Sequence, residues 1–155
     1  WVEMKDGRIA RFATYFTGEM YALLRHHSMV GRPAADPEDP AGFDLGLDSA
    51  ERNSHGKRAG LLHLIFGARA ATVTGRLPAA ALGPYLSGLL TGDEINGAFS
   101  QFDKPEFLTV VAERPRADLF TRALARHGVR VAVKPPVDAL VAGLGRILAA
   151  RPAQA

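Results

Sequence analysis

Apolar and polar residues alternate from the first position. Trp1-Val2-Glu3-Met4 and Arg8-Ile9-Ala10-Arg11-Phe12 flank Lys5-Asp6-Gly7. Two alternating runs around Asp-Gly predict a β-hairpin. Ala13-Thr14-Tyr15-Phe16 extends its second strand in this reading. A hairpin that begins at residue 1 leads us to expect that upstream neighbours are missing, and that the chain is the later part of a larger α/β protein. The pattern then changes to helical spacing. Thr17 is the expected N-cap of a helix with Met20, Leu23, Leu24 and His27 on one face. Gly31 to Pro40, with three prolines and Asp36, Glu38 and Asp39, reads as a loop whose acids form a solvated turn.

A helix limited by Gly42 and Gly46 is predicted from Ala41 to about Arg52, and Asn53 to Lys57 as loop. Leu61–Thr74 forms the next helix, with Leu62, Ile65, Phe66 and Arg69 at helical spacing and Gly75-Arg76-Leu77-Pro78 as its stop. A further helix runs from about Gly83 to Ala98 through Tyr85, Leu86, Leu89, Leu90 and Ile95. Its glycines Gly88, Gly92 and Gly97 each cost about 1 kcal/mol relative to alanine, which points to close packing on a backbone or a ligand. Phe107–Ala112 is a continuous apolar run, as in a buried parallel strand. Pro115–His127 is an amphipathic helix with Leu119, Ala123 and Leu124 inward, and Gly128 suits its C′ position. Val129–Val133 is a strand and Pro136 to about Ala150 a last helix, so residues 107–150 form a β-α-β-α unit. We take residues 1–150 as one incomplete α/β domain and 151–155 as a tail.

Composition changes this picture little. At 155 residues, with 47% hydrophobic and 23% charged, the chain can build a globular core. No cysteine is present, which excludes disulfides, thiolate metal sites and a cysteine nucleophile. The net charge of +3 and a pI near 9.6 raise the question of a polyanion. The basic residues are scattered, and 15 of the 19 are arginines, so no nucleic-acid footprint is read from them. No apolar run is long enough to span a bilayer.

Familiar catalytic motifs are absent. There is no Walker A sequence and no G-x-S-x-G elbow, and Gly143-Leu144-Gly145 lies within a predicted helix rather than after a strand. His26 and His27 are adjacent, so on a helix they diverge by about 100° and cannot chelate one metal together. No metal site is expected.

Two stretches carry more. They are Phe12-Ala13-Thr14-Tyr15-Phe16-Thr17-Gly18-Glu19-Met20-Tyr21-Ala22-Leu23-Leu24, continuing to His27-Ser28, and Tyr85-Leu86-Ser87-Gly88-Leu89-Leu90-Thr91-Gly92-Asp93-Glu94-Ile95. Both resemble the 2-dehydro-3-deoxygalactonokinase family, with Phe66, Arg69, Gly75 and Leu77-Pro78 in matching order between them. The resemblance implies the C-terminal portion of a two-domain sugar-kinase and actin-like ATPase fold, ribonuclease H-like in its domains. It implies transfer of the ATP γ-phosphate to the 6-hydroxyl of 2-dehydro-3-deoxy-D-galactonate in galactonate catabolism, with ATP and Mg2+ as cofactors and a cytoplasmic setting. The partners implied are the sugar acid, ATP and the missing N-terminal domain, with neither nucleic acid nor membrane.

The family's phosphate loop, a Pro-Gly-Thr-His-x-Lys stretch and the catalytic carboxylate all belong upstream of Trp1. No catalytic residue is therefore expected here, and the isolated chain is expected to be inactive. Thr17, Gly18, Glu19 and Arg69 are the residues that the resemblance places at the substrate or cleft. For Glu19 the alternative is a helix-terminal carboxylate stabilised by the dipole, and for Arg69 a structural ion pair. Ser87, Gly88, Gly92, Glu94, Ala112 and Glu113 are those it places near the nucleotide, with helix packing as the alternative for the first three. The family usually has glycine in the loop where this chain reads Ala112-Glu113-Arg114-Pro115. A Cβ and a carboxylate there oppose an anionic nucleotide. A truncated, non-catalytic binding or interaction module is thus the competing expectation.

Overall fold

A computed structural model describes residues 1–55 and 59–149. The loop expected at Gly56 and Lys57 and the tail at 151–155 lie outside these residues. The fold is mixed α/β, in two compact units, Trp1–Lys104 and Pro105 onward.

The first unit opens with the hairpin β1 (Val2–Lys5) and β2 (Arg8–Phe12), paired antiparallel. Asp6 and Gly7 have φ of 51° and 73°, as a type I′ turn requires, and this selects Asp-Gly. Register shifts after Glu3, which pairs with Arg11 while Met4 pairs with Ile9, leaving Ala10 as a bulge. The expected extension through Phe16 does not form. Pairing ends where Trp1 and Ala13 exchange N–H···O bonds of 2.8 and 2.9 Å.

Four helices follow: α1 (Thr17–His27), α2 (Ala41–His55), α3 (Leu61–Val73) and α4 (Ala79–Gln101). Helix α4 is the hub against which the other three pack. Its Leu82, Leu86, Leu89 and Ile95 are fully buried, each contributing about 1.5–3 kcal/mol by leaving water. It starts earlier than expected, directly after Pro78. Pro84 within it cannot donate to the Ala80 carbonyl, four residues back. The Asp39 N–H bonds that carbonyl instead, at 2.9 Å, and the Ala35 N–H bonds Ala79 O at 3.1 Å. The proline thus becomes the docking point of the 31–40 loop.

The acids of that loop are exposed, as a solvated turn requires, and they also make specific contacts. Glu38 accepts from Arg25 Nε at 2.9 Å, with Arg25 only 13% exposed, and Asp36 lies 3.5 Å from the same guanidinium. The Glu38 hydrogen bond raises the Arg25 pKa. Asp39 Oδ1 accepts the Ala41 N–H at 2.9 Å, capping α2 just before Pro40.

Two helical faces differ from expectation. On α1 the inward residues are Met20, Tyr21 and Leu24, while Leu23 and His27 are exposed. On α3 they are Leu61, Leu64, Ile65 and Ala68, and Leu62 is 81% exposed. Helix α3 ends as its sequence requires. Gly75 takes φ 75°, and N–H bonds run from Arg76 to Ala71 O (2.8 Å) and from Gly75 to Thr72 O (3.1 Å). These are the two bonds of a Schellman cap.

Helix α2 is longer and more deeply set than its glycines suggested. Gly42, Phe43, Gly46, Leu47 and Ala50 are buried against α4. A methyl group on Gly42 would strike the Ala81 carbonyl, and one on Gly46 the Tyr85 carbonyl. From the other side, one on Gly88 would strike the Phe43 carbonyl, and one on Gly92 would lie 2.6 Å from Ala50 Cβ. The small residues let the two backbones touch. Tyr85 Oη then donates to Ser49 Oγ at 2.8 Å across the same interface.

The second unit contains β3 (Phe107–Val111), α5 (Arg114–Ala125), β4 (Arg130–Lys134) and α6 (Pro136–Ala149). The two strands pair in parallel, with Phe107 opposite Arg130 and Val111 opposite Lys134. Helix α5 covers the sheet with Ala117, Ala123 and Leu124 buried. Bonds from Gly128 N–H to Ala125 O (3.0 Å) and Val129 N–H to Leu124 O (3.2 Å) end it at the expected glycine. The strand expected to be buried is not: Phe107 and Val111 are about half exposed, because α5 covers only one face of a two-stranded sheet.

Candidate functional site

Thr17, Gly18 and Glu19 form the first turn of α1. Thr17 is the first helical residue rather than the N-cap. Phe16 occupies that place, and no side chain caps the turn. The first helical bond is Met20 N–H to Phe16 O at 2.9 Å. The amides ahead of it lack intrahelical acceptors, which suits an anion or a polar ligand. Thr17 and Gly18 are half-buried and Glu19 is exposed.

Tyr15, just before this turn, belongs to a polar cluster that includes Glu94. Trp1 Nε1 donates to Glu94 Oε1 at 2.8 Å, and the indole meets Phe99 edge-on with centroids 5.9 Å apart. Tyr15, two residues before Thr17, packs on Gly97, where a Cβ would lie 3.2 Å from its ring. Gln101 Nε2 donates to the Tyr15 hydroxyl at 3.3 Å. Burial raises the Tyr15 pKa, and the Glu94 and Asp93 charges raise it further. Burial also raises the pKa of Asp93, which has no hydrogen-bond partner among the described residues.

A testable consequence follows for Asp93. The folded chain holds the Asp93 proton more tightly than the unfolded chain does. The cost of the buried charge is present in full above the folded pKa and disappears below the ordinary value of 3.8. Asp93→Asn is expected to stabilise the chain at pH 7, by no more than about 1 kcal/mol for this half-exposed group. Urea melts should show that gain shrinking as pH falls toward 3.8. A gain that persists in acid would show that the charge is not its source.

The remaining residues do not all converge. Arg69 donates Nε to the Met29 carbonyl at 3.0 Å and lies 5.8 Å from the Phe66 ring centroid. Met29 follows the C-terminal end of α1, about 16 Å along that helix from Thr17. Arg69 therefore ties α3 to the end of α1 and is not gathered with Thr17, Gly18 and Glu19. Gly88 and Gly92 face α2, where the Phe43 carbonyl and the Ala50 methyl take the space that a ligand would need on that side. Ser87, on the flank of α4, is half-buried.

In the second unit, Ala112 and Glu113 join β3 to α5, at the carboxyl end of a parallel strand. In open α/β sheets this is where ligands bind. The Ala112 N–H bonds Lys134 O at 3.2 Å, and Glu113 is the N-cap of α5 with φ −64°. Neither residue has a positive φ. Ala112 and Glu113 therefore sit in this loop without backbone strain. Arg114 lies 3.7 Å from Asp118 in an exposed contact.

Tyr15 and Asp93 were missed as candidates. The available signal is their position, since Tyr15 lies in the stretch that leads into Thr17-Gly18-Glu19 and Asp93 in the stretch from Tyr85 to Ile95. Among the described residues no three His, Cys, Asp or Glu side chains group as a metal site. No helix among them is long and apolar enough to cross a membrane.

Comparison with known proteins agrees with the two motifs. The family model described as 2-keto-3-deoxy-galactonokinase matches residues 1–147. The chain belongs to that family. Over 148 residues it is 29% identical to the 2-dehydro-3-deoxygalactonokinase of Escherichia coli (strain K12), covering 95% of this chain and 49% of the relative. Over 144 residues it is 27% identical to the "probable 2-dehydro-3-deoxygalactonokinase" of Rhizobium meliloti (strain 1021), covering 93% and 47%. The solved structure of "a putative 2-dehydro-3-deoxygalactonokinase protein from Sinorhizobium meliloti" superposes with a TM-score of 0.81 at 28% identity, covering 94% of this chain and 48% of that one. The chain thus spans about half the length of these galactonokinase-family proteins.

Proposed function

We propose that this chain is part of an ATP-dependent sugar-acid kinase that phosphorylates the 6-hydroxyl of 2-dehydro-3-deoxy-D-galactonate, and that it is inactive alone. The family match over residues 1–147 carries this reading. In it, the whole protein has two domains of the ribonuclease H-like, actin-like ATPase type, acts in the cytoplasm in galactonate breakdown, and completes its site with an N-terminal domain.

Thr17, Gly18 and Glu19 lie at the sugar-acid side, through the free amides of α1 and the exposed Glu19 carboxylate. Glu94, on the nucleotide side in this reading, holds the hairpin through Trp1. Gly88 and Gly92 act by setting α4 against α2, with Ser87 on the flank. Arg69 acts by fixing the end of α1. Ala112 and Glu113 mark the nucleotide loop.

The start of α5 fits an anionic group, because amides ahead of the Ala117-to-Glu113 bond lack helical acceptors. The exposed Glu113 carboxylate opposes one. ATP supplies the transferable phosphoryl group when bound. The described residues offer no carboxylate set for a resident Mg2+, so no step is assigned through it.

Incubated with ATP, Mg2+ and the keto-deoxy acid, the 155-residue chain is expected to give no phosphorylated product. The same chain extended through its own upstream coding sequence should give ADP and the 6-phosphorylated acid in a coupled assay. No product from the extended protein would refute the kinase reading. It would favour the second one, a non-catalytic relative, to which the Ala112-Glu113 departure already points.

A further inference from the structure

We infer that the apolar side of α6 and the open face of the β3–β4 sheet are docking surfaces for one occupant, the half of the kinase polypeptide that the relatives carry and this chain does not span. The inference rests on the kinase reading above. Helix α6 has no buried residue. Val137, Leu140, Val141, Leu144, Ile147 and Leu148 are each half or more exposed. They fall at i, i+3, i+4, i+7, i+10 and i+11, so one side of the helix is continuously apolar. The rest of the helix carries little charge, with Asp138 and Arg146 set among alanines and glycines. A helix this apolar is normally covered by a core.

The pattern also indicates what covers it. Three apolar positions per seven make a stripe suited to a globular layer, whereas pairing with a second copy in a coiled coil needs only the narrower two-per-seven seam. At 14 residues the helix is also shorter than the three or four heptads that a coiled coil sustains. The sheet makes the same demand. Parallel strands are normally covered on both faces, and two-stranded sheets rarely stand alone. Here Phe107 and Val111 remain about half exposed on the face that carries Arg130 and Lys134. What is required is a further α/β layer. The relatives hold about as much chain again as this one covers, at 47% and 49% of their lengths.

The chain has no cysteine, so Leu144→Cys gives a single labelling site. An environment-sensitive fluorophore placed there is titrated with the segment of the Escherichia coli relative that this chain does not match. We expect a saturable blue shift and a 1:1 complex by light scattering. Leu144→Asp, made in the chain with a Val137→Cys label, should abolish the complex while leaving the melting curve of the chain alone unchanged. Absence of a complex overturns the proposal, as does a complex that Leu144→Asp does not weaken. A blue shift that grows with the labelled chain's own concentration also overturns it, assigning the surface to self-association. Phosphoryl transfer is assayed in the same mixtures. A complex without product would count against the kinase reading and leave the docking surface standing. Product that is insensitive to Leu144→Asp would do the reverse.

Discussion

Gly88→Leu is expected to destabilise the chain by about 3 kcal/mol, read as the shift in urea midpoint at constant slope. The reason is that the obstacle is backbone. A Cβ at Gly88 meets the Phe43 carbonyl and then the Leu47 amide nitrogen at 3.1 Å. No rotamer change relieves either contact, so α2 must separate from α4. Separation exposes Phe43, which is fully buried, together with Leu47 and Ala50. Gly67→Ala, in the interior of α3, is the matched control. Nothing lies within 4 Å of a Cβ there, so the change should stabilise by about 0.5–1 kcal/mol through helix propensity. Two helical glycines with opposite signs would establish that Gly88 is kept for contact. If Gly88→Leu melts like the parent chain, the α2–α4 interface described here is wrong.

Leu86→Ala is expected to cost about 2–5 kcal/mol, through lost burial and the cavity left behind. Leu86 is 0% exposed within the cluster formed by Leu82, Leu89 and Leu90 of α4 and Ile65 and Ala68 of α3. Leu62→Ala should change stability by less than about 0.5 kcal/mol, because its side chain is 81% exposed. The pair tests which face of α3 is inward. A large loss at Leu62 would return that helix to the phase that its apolar spacing first suggested.

The local structure around the candidate residues is legible in the sequence, for a local reason. Thr17-Gly18-Glu19 does begin a helix, and the segment ending in Glu94 is helical throughout. What could not be read was the company these residues keep. Glu94 meets Trp1 across 93 positions of chain, and neither residue marks the other by spacing. Arg69 satisfies a carbonyl forty residues away, so its partner is a backbone atom and not the carboxylate of an ion pair. The spacing of Gly88 and Gly92 points to close packing, but in the sequence the matching Gly42 and Gly46 on α2 signal only limits on a helix. Their role exists only when both helices are present.

The sequence by itself determined the order of the elements and most of their ends. Those depend on interactions within a few residues. Asp6-Gly7 turns the hairpin, and Gly75 and Gly128 close the helices before them. It determined the family too, because ordered motifs survive where overall identity falls to 27–29%. Tertiary structure decided which helix faces turn inward, how far the first hairpin pairs, and that the acids of the 31–40 loop bind Arg25 and cap α2. Helical periodicity allows neighbouring stripes of similar apolarity, and only a packed partner chooses between them. No residue of α6 is buried, and its apolar face remains exposed.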